Sequence, residues 1–408
     1  MKETIELLKP LLGLNNVSPE TDLPENSLTQ ALNVNLDKEG NVYSRKGYTK
    51  IYSATNETHS LYKQYFQDGS ELKIIIDGST IATGLNPNAY LAWETVNLEP
   101  IYSDGQLIRR VPDEPFSVPT PPSQPTIKTT TGNLFAGIYQ VTICFVKQGE
   151  QGGALLASDL LVEDNSGITL SNLPQADGCD IAVFCTTQNG ETLYLNQILV
   201  AGTTAFTIYN TKNNTLICDT QFMEPLPAGH ILRHFNARLY SAYDNVLYYS
   251  RPSRYGLCKL GEDFFQFVSK ITIVQPVDDG IFIVSDKTYF LTGNDPDEMT
   301  LITVSPDTAI EGTGITASAS VFAIDGDSLV AYWFSNKGAM IGMPGGAIKQ
   351  FTDNRLAIDA DIESGTTVYK EVEGIRQMIT NLQKGAQSNF QFGAQATTQI
   401  IRNGVIVT

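Results

Sequence analysis

The sequence predicts an all-β protein: a β-propeller-like body with an inserted immunoglobulin/fibronectin-III-like β-sandwich. Three observations predict it. Short alternating or β-branched runs recur along the chain between Gly, Pro, Asp-Gly and Asp-Asn turns. Charged residues make up 17% of the chain against a usual value of about 25%, and Thr, Asn, Ser, Gly and Tyr, residues of strands and turns, fill the difference. Beyond residue 230, strand–turn–strand units recur roughly every 40 to 50 residues, the spacing of four-stranded propeller blades. A length of 408 residues fits two or three domains, or one large propeller with an insertion.

The opening stretch reads as an extended arm, a turn and a hairpin. Pro19 and Pro24 keep their preceding residues out of helix. Ser27 is expected to cap a short helical turn through Gln30 and Ala31, with Leu28 and Leu32 on one face. Val34 and Leu36 then lead through Asp37-Lys38-Glu39-Gly40 into an alternating strand over 41–45, and Gly47 is expected at a backbone angle closed to other residues.

Residues 71–84 read as a β-hairpin turning at Asp77-Gly78, and the strand pattern continues through Trp93 and Val96 to about Arg110. Six prolines in 111–126 predict a stiff extended linker and a domain boundary. Beyond it, 137–146 alternates over ten residues, and short strands follow over 168–170, 179–186, 193–200 and 205–209. Turns at roughly ten-residue spacing give these the signature of a sandwich. A second Pro-containing hinge, 223–229, returns the chain to the first domain.

From there strands are expected over 234–250 about an Asp244-Asn245 turn, over 271–291 about Asp278-Asp279-Gly280, and over 321–342 about Asp325-Gly326-Asp327 and Asn336-Lys337-Gly338. A helical turn is expected near 358–362, a strand or short helix over 369–378, and a closing hairpin about Asn403-Gly404. The domains are therefore set at 1–50 (arm and first strands), 51–115 (first propeller part), 116–222 (inserted sandwich) and 223–408 (second propeller part and closing strands).

Net charge is −17, from 27 basic and 44 acidic residues. That disfavours a protein that reads nucleic-acid sequence, which needs a cationic footprint, but suits a wall along which a polyanion slides. No apolar run approaches the length of a membrane span, and the N-terminus, interrupted early by Glu3, Glu6 and Pro10, does not read as a secretory signal. Five cysteines (Cys144, Cys179, Cys185, Cys218 and Cys258) lack Cys-x-x-Cys spacing and read as buried apolar residues of a protein made in a reducing compartment.

Candidate chemistry is sparse. His230 and His234 lie four apart, but Pro227 and Gly229 precede them and no third ligand has suitable spacing. The acidic pairs 278/279, 295/297, 325/327 and 359/361 sit in turns, where Asp is expected without catalysis. Gly312-Thr313-Gly314 superficially fits a dinucleotide fingerprint but lacks a βαβ context. No catalytic residue, metal ligand or cofactor is expected. Arg251, Arg254 and Lys259 form a local cationic cluster and are the candidate DNA or subunit contact, with Arg233 and Arg238 just upstream.

The opening stretch also carries the pattern Gly-x-Asn-Asn…Pro…Leu-Pro…Ala-x-Asn-Val…Gly…Arg-x-Gly-Tyr, on Gly13, Asn15, Asn16, Pro19, Leu23, Pro24, Ala31, Asn33, Val34, Gly40, Arg45, Gly47 and Tyr48. It resembles the opening of phage tail proteins, especially the tail nozzle of short-tailed phages, in the family that stabilises packaged DNA at the head-to-tail junction. The resemblance covers under a tenth of the chain. It implies a non-enzymatic virion protein, assembled in the host cytoplasm as a hexamer on a tail adaptor ring. Such a ring carries fibres or spikes and passes genomic DNA without reading it. The arm would then be an assembly contact. A receptor- or sugar-binding propeller, and a glycan-degrading tail enzyme, are the competing expectations.

Overall fold

The computed structural model describes residues 11–30, 34–36, 40–44, 49–54, 56–352, 355–372, 375–384, 400–402 and 405–407. Strand makes up 50% and helix 3%, so the chain is all-β. It divides into two compact units: residues 1–53, 242–246 and 266–408 form the first, and 54–241 and 247–265 the second.

Among the described residues, five four-stranded sheets take their strands in chain order. Sheet I comprises Thr58–Tyr62, Tyr65–Asp68, Glu71–Ile74 and Thr80–Thr83; sheet II comprises Ala92–Val96, Glu99–Ser103, Ile108–Arg110 and Glu114–Pro115. Sheet III comprises Ile231–Phe235, Arg238–Tyr243, Val246–Tyr249 and Phe264–Gln266. Sheet IV comprises Ile273–Val277, Gly280–Val284, Thr288–Thr292 and Thr300–Ser305; sheet V comprises Ile315–Ser318, Leu329–Ser335, Gly338–Gly342 and Ile348–Gln350. Sheets III, IV and V begin at Ile231, Ile273 and Ile315, an even step of 42 residues (273 − 231 and 315 − 273).

The turns explain the hairpins. Asn97 and Leu98 (φ +50° and +69°) and Asn236 and Ala237 (φ +44° and +57°) are two-residue connections with both residues left-handed, the twist that keeps antiparallel strands in register. In sheet IV, Val277 pairs directly with Gly280. A Cβ on Gly280 would stand 2.4 Å from the Leu291 carbonyl oxygen, so only glycine fits beside the next strand.

Within each unit, successive sheets share buried side chains. In the second unit, Leu72 and Ala82 of sheet I pack with Trp93 and Tyr102 of sheet II. The other side of sheet II, through Val96, Ile101 and Ile108, packs with Leu232 and Leu239 of sheet III. In the first unit, Phe282 and Phe290 of sheet IV meet Ala331, Trp333 and Met340 of sheet V. The opposite face of sheet V, through Tyr332, Phe334 and Ile341, meets Met378 and Leu14. This burial on both faces is why the inner strands, such as GIFIV and LVAYWFS, read as continuous apolar runs instead of alternating.

The segment after sheet II forms two sheets about one core. Thr126–Leu134, Ser166–Ser171 and Ala205–Ile208 make a three-stranded sheet in that order. Gly137–Lys147 pairs with Asp180–Cys185, which pairs with Tyr194–Leu199; Ser158–Val162 and Glu150–Gln151 also pair with Gly137–Lys147. Alternate residues Tyr139, Val141, Ile143 and Phe145 enter the shared core with Ile168, Leu170, Ile181, Val183 and Ile208. The intervening Cys144 and Val146 enter a second apolar cluster with Ala182, Phe184 and Leu193.

Four local expectations are corrected. Ser27–Leu28 is a two-residue strand parallel to Gly13–Leu14, not a helical turn: Leu12 N–H donates to Asn26 and Asn15 N–H to Leu28, so the arm satisfies that backbone instead. The only turn of helix within 11–30 is 3-10, at Glu20–Asp22. Residues Ala319–Phe322 form a 3-10 helix where a strand was expected, because Ala319, Val321 and Phe322 all reach the core from one tight turn. Residues 358–361 are not helical; two-strand pairing of Ile362–Val372 with Ile375–Lys384 follows. The Pro-rich stretch is not a linker: Glu114–Pro115 completes sheet II, Phe116 and Val118 are buried, and both flanks lie in one compact unit.

The closing hairpin is present as Ile400–Arg402 paired with Val405–Val407, and the latter runs parallel to Arg376–Met378. These strands complete a sixth four-stranded sheet, sheet VI.

Candidate functional site

The arm is positioned by backbone pairing and by one side-chain amide. Leu14 is buried with sheet V residues, and Leu28 packs against the same cluster. Gly13, at φ +92°, turns the chain between Leu12 and Leu14, each of which bonds the 26–28 segment through itself or its neighbour. Asn15 Oδ1 accepts the N–H groups of Val17 and Ser18 at 3.1 Å, closing a local turn. Asn16 reaches across the chain. Its Nδ2 donates to the Ala357 carbonyl at 3.0 Å and its Oδ1 accepts the Ala357 N–H at 2.8 Å, so one side chain mimics a strand partner. The Asn16 N–H adds a bond to the Arg355 carbonyl at 3.1 Å.

Asn15 and Asn16 thus have distinct structural tasks, and the second holds the arm to the segment that opens sheet VI. Pro19 and Pro24 are exposed and Leu23 half-buried on the loop between the paired segments, and Gly40 is buried at φ +74° with its carbonyl facing Leu11 N–H. Ala31, Asn33, Arg45, Gly47 and Tyr48 lie outside the described residues. Asn16→Ala is expected to cost about 1–2 kcal/mol, the net worth of two hydrogen bonds, and to speed amide exchange over 11–17 and at Ala357. Hydrogen-exchange mass spectrometry checks this, with unchanged exchange at those amides counting against the bridge.

The cationic cluster is engaged with carboxylates. Arg251 meets buried Asp263 at 2.7 Å and Glu262 at 3.4 Å; Lys259 meets Glu262 at 3.0 Å; Arg254 makes a forked pair with Asp219 at 2.9 and 3.0 Å. Three cations face three carboxylates, so this patch presents a local sum near zero. Arg238 sits over the Tyr249 ring and donates to the Ser250 carbonyl. Burial lowers the Arg233 pKa, with Glu94 opposing. Sequence reasoning found the cations and missed their partners. Glu262 and Asp263 were visible three and four residues after Lys259, whereas Asp219 is brought to Arg254 only by the fold.

The remaining motifs resolve into structure. Asp278 Oδ2 accepts the Leu329 N–H at 3.0 Å and Asp279 Oδ2 the Gly345 N–H at 2.8 Å, so this acidic pair ties sheet IV to sheet V. Asp359 and Asp361 both face Lys384, at 3.2 and 3.0 Å. Thr313 of the Gly-Thr-Gly stretch donates to the Ile310 carbonyl and accepts the Phe334 N–H, and a Cβ on Gly312 would lie 2.3 Å from the Gly365 carbonyl oxygen. His234 is used through its N–H, which donates to Glu94, and its ring packs on Tyr255. Among the described residues, no three His, Cys, Asp or Glu side chains gather as a metal site, and no helix is long and apolar enough to cross a membrane.

All five cysteines are free, and four are buried. Burial pushes the Cys185 and Cys258 thiols up to about 12 and raises Cys144, Cys179 and Cys218 as well, which keeps them protonated and poorly nucleophilic at neutral pH. A cavity of about 230 Å³ lies in the second unit, lined by Arg110, Phe116, Lys147, Glu150, Asp177 and Cys179 among others. Arg110 crosses it to grip both oxygens of Glu150 at 2.9 Å and stacks on Phe116.

Compared with protein-family models and with curated proteins, the chain matches none.

Proposed function

We propose that the chain is a structural wall component of a phage tail: the hexameric nozzle of a short tail, enclosing the distal DNA channel and its gate and carrying fibres or spikes outside. The observation that carries this reading is the run of six four-stranded sheets, which share cores face to face within each unit and are interrupted once by a two-sheet module. That run supports a propeller-like body. The module supports an immunoglobulin-like sandwich. Its longer sheet orders 137–147, 180–185 and 194–199 as such a fold orders its third, sixth and seventh strands, and its shorter sheet pairs 126–134 with 166–171 as second with fifth.

The residue pattern of the arm, which resembles the nozzle opening, supports the family. The function follows from stiffness and charge. Sheets buried on both faces resist deformation under the pressure of packed DNA. Six copies carry 6 × (−17), or −102. Such a wall gives a polyanion no adhesive surface, and the self-compensated cluster at Arg251, Arg254 and Lys259 adds no grip. The same charge means that copies associate through complementary faces, not net attraction.

Light scattering tests the reading. Full-length protein, alone or with an adaptor ring as template, is expected to reach about six times the 44.6 kDa chain mass. A chain that stays at one copy under both conditions overturns it.

A further inference from the structure

We infer that the outer strand of sheet IV, Thr300–Ser305, is an assembly edge that pairs with a strand from a second copy of this chain. The inference rests on the ring reading above and names the surface that the ring would use.

The strand reads Thr-Leu-Ile-Thr-Val-Ser, with no charge, no proline and four β-branched residues. One edge pairs with Thr288–Thr292, and the strand is last in its sheet, so its other edge has no strand partner among the described residues. Its side chains are as bare as its backbone: Leu301 is 40% and Ile302 43% exposed. Exposed edges are ordinarily blunted by charge, proline or shortness, because an open ladder recruits further strands. The outer strands of sheets II, III and V are blunted by shortness, charge or proline. Sheet II ends in the two-residue Glu114–Pro115, sheet III in the three-residue Phe264–Gln266, and sheet V in three residues centred on Lys349. Sheet IV alone among these ends in six uncharged residues.

Charge selects the occupant. Two copies of a chain at −17 repel, so their contact is least costly where it buries no charge, and this strand brings none. Asp297 and Glu298 precede the strand, and Asp307, which follows it, is held by Lys337 at 2.6 Å, so neither the strand nor its far end brings uncompensated charge to the contact. A ring requires this edge to meet a different edge of the next copy, since head-to-tail contacts are the kind that close rings.

The test is Ile302→Lys in the full chain, followed by sedimentation velocity over a wide concentration range. Ile76→Lys, on a turn residue 80% exposed, controls for added charge. The wild type and Ile76→Lys are expected to assemble, and Ile302→Lys to sediment as one copy with an unchanged near-ultraviolet spectrum. Assembly of Ile302→Lys at the wild-type concentration overturns the edge and leaves the ring reading standing. A wild type that sediments as one copy throughout also overturns self-pairing, while the ring reading then stands or falls on adaptor-templated mass. Should Ile302→Lys fail to fold, amide exchange over 300–305 in concentrated against dilute wild type decides: slowing on assembly supports the edge, and equal rates overturn it.

Discussion

Trp333→Ala is expected to destabilise the first unit by about 3–5 kcal/mol, the cost of emptying a large aromatic site in a core that cannot collapse. Trp333 is buried on the Leu329–Ser335 strand, opposite Met340 in register. Its ring lies 5.6 Å from that of Phe282, which in turn lies 4.7 Å from Phe290, so three aromatic side chains from two sheets form one contact. Removing the indole empties part of the core that sheets IV and V share without touching either backbone ladder. The fall in melting temperature is on the order of 10 °C for a unit of this size. Trp93, the chain's other tryptophan, lies in the second unit and reports that unit's fluorescence alone in the variant. Trp333→Phe keeps most of the volume and is expected to cost less than half as much. A loss below about 1 kcal/mol for Trp333→Ala would mean that the two sheets do not depend on a common core.

Asp263→Ala is expected to cost about 3 kcal/mol, as when one member of a buried ion pair is removed. The Asp263 carboxylate is almost fully buried and doubly used: Oδ1 faces Arg251 at 2.7 Å, and Oδ2 accepts the Lys259 N–H at 2.7 Å. Alanine leaves the guanidinium with only the longer 3.4 Å contact to Glu262 and strands the Lys259 backbone donor. Asp263→Asn retains an acceptor for the Lys259 N–H but not the charge, and is expected to fall between alanine and wild type. Urea unfolding followed by circular dichroism measures both. Equal stability of Asp263→Ala and wild type would show that the Arg251 cluster is held by its surroundings instead.

How much was legible in the sequence depends on where the deciding partner lay. The hairpins were, because their causes are local: Asp278-Asp279-Gly280 reverses the chain between apolar runs, and only a glycine fits beside Leu291. So was the two-sheet module, since alternation over Gly137–Lys147 fixes which side chains share a face. The failures came where a distant partner decides. Ser27 has the chemistry of a helix cap, but Gly13 and Leu14 lie alongside and draw it into a strand. Val321 and Phe322 have the composition of a strand, but three side chains of 319–322 are pulled into one core from a 3-10 turn. The prolines of 111–126 suggested a linker because composition does not reveal that Phe116 is buried against Leu226 and Leu232. For the site, the sequence exposed the arm's residue types without their purpose: nothing near Asn16 announces Ala357, 341 residues away. The cationic cluster looked free because Asp219 lies 35 residues from Arg254.

The most direct test of the central claim, that stiff stacked sheets repeat around an axis to wall a channel, is electron microscopy of the full-length protein with an adaptor ring. Six-fold particles with an open axial bore are the expected images. Solitary globules, with no copies encircling a bore, would contradict it.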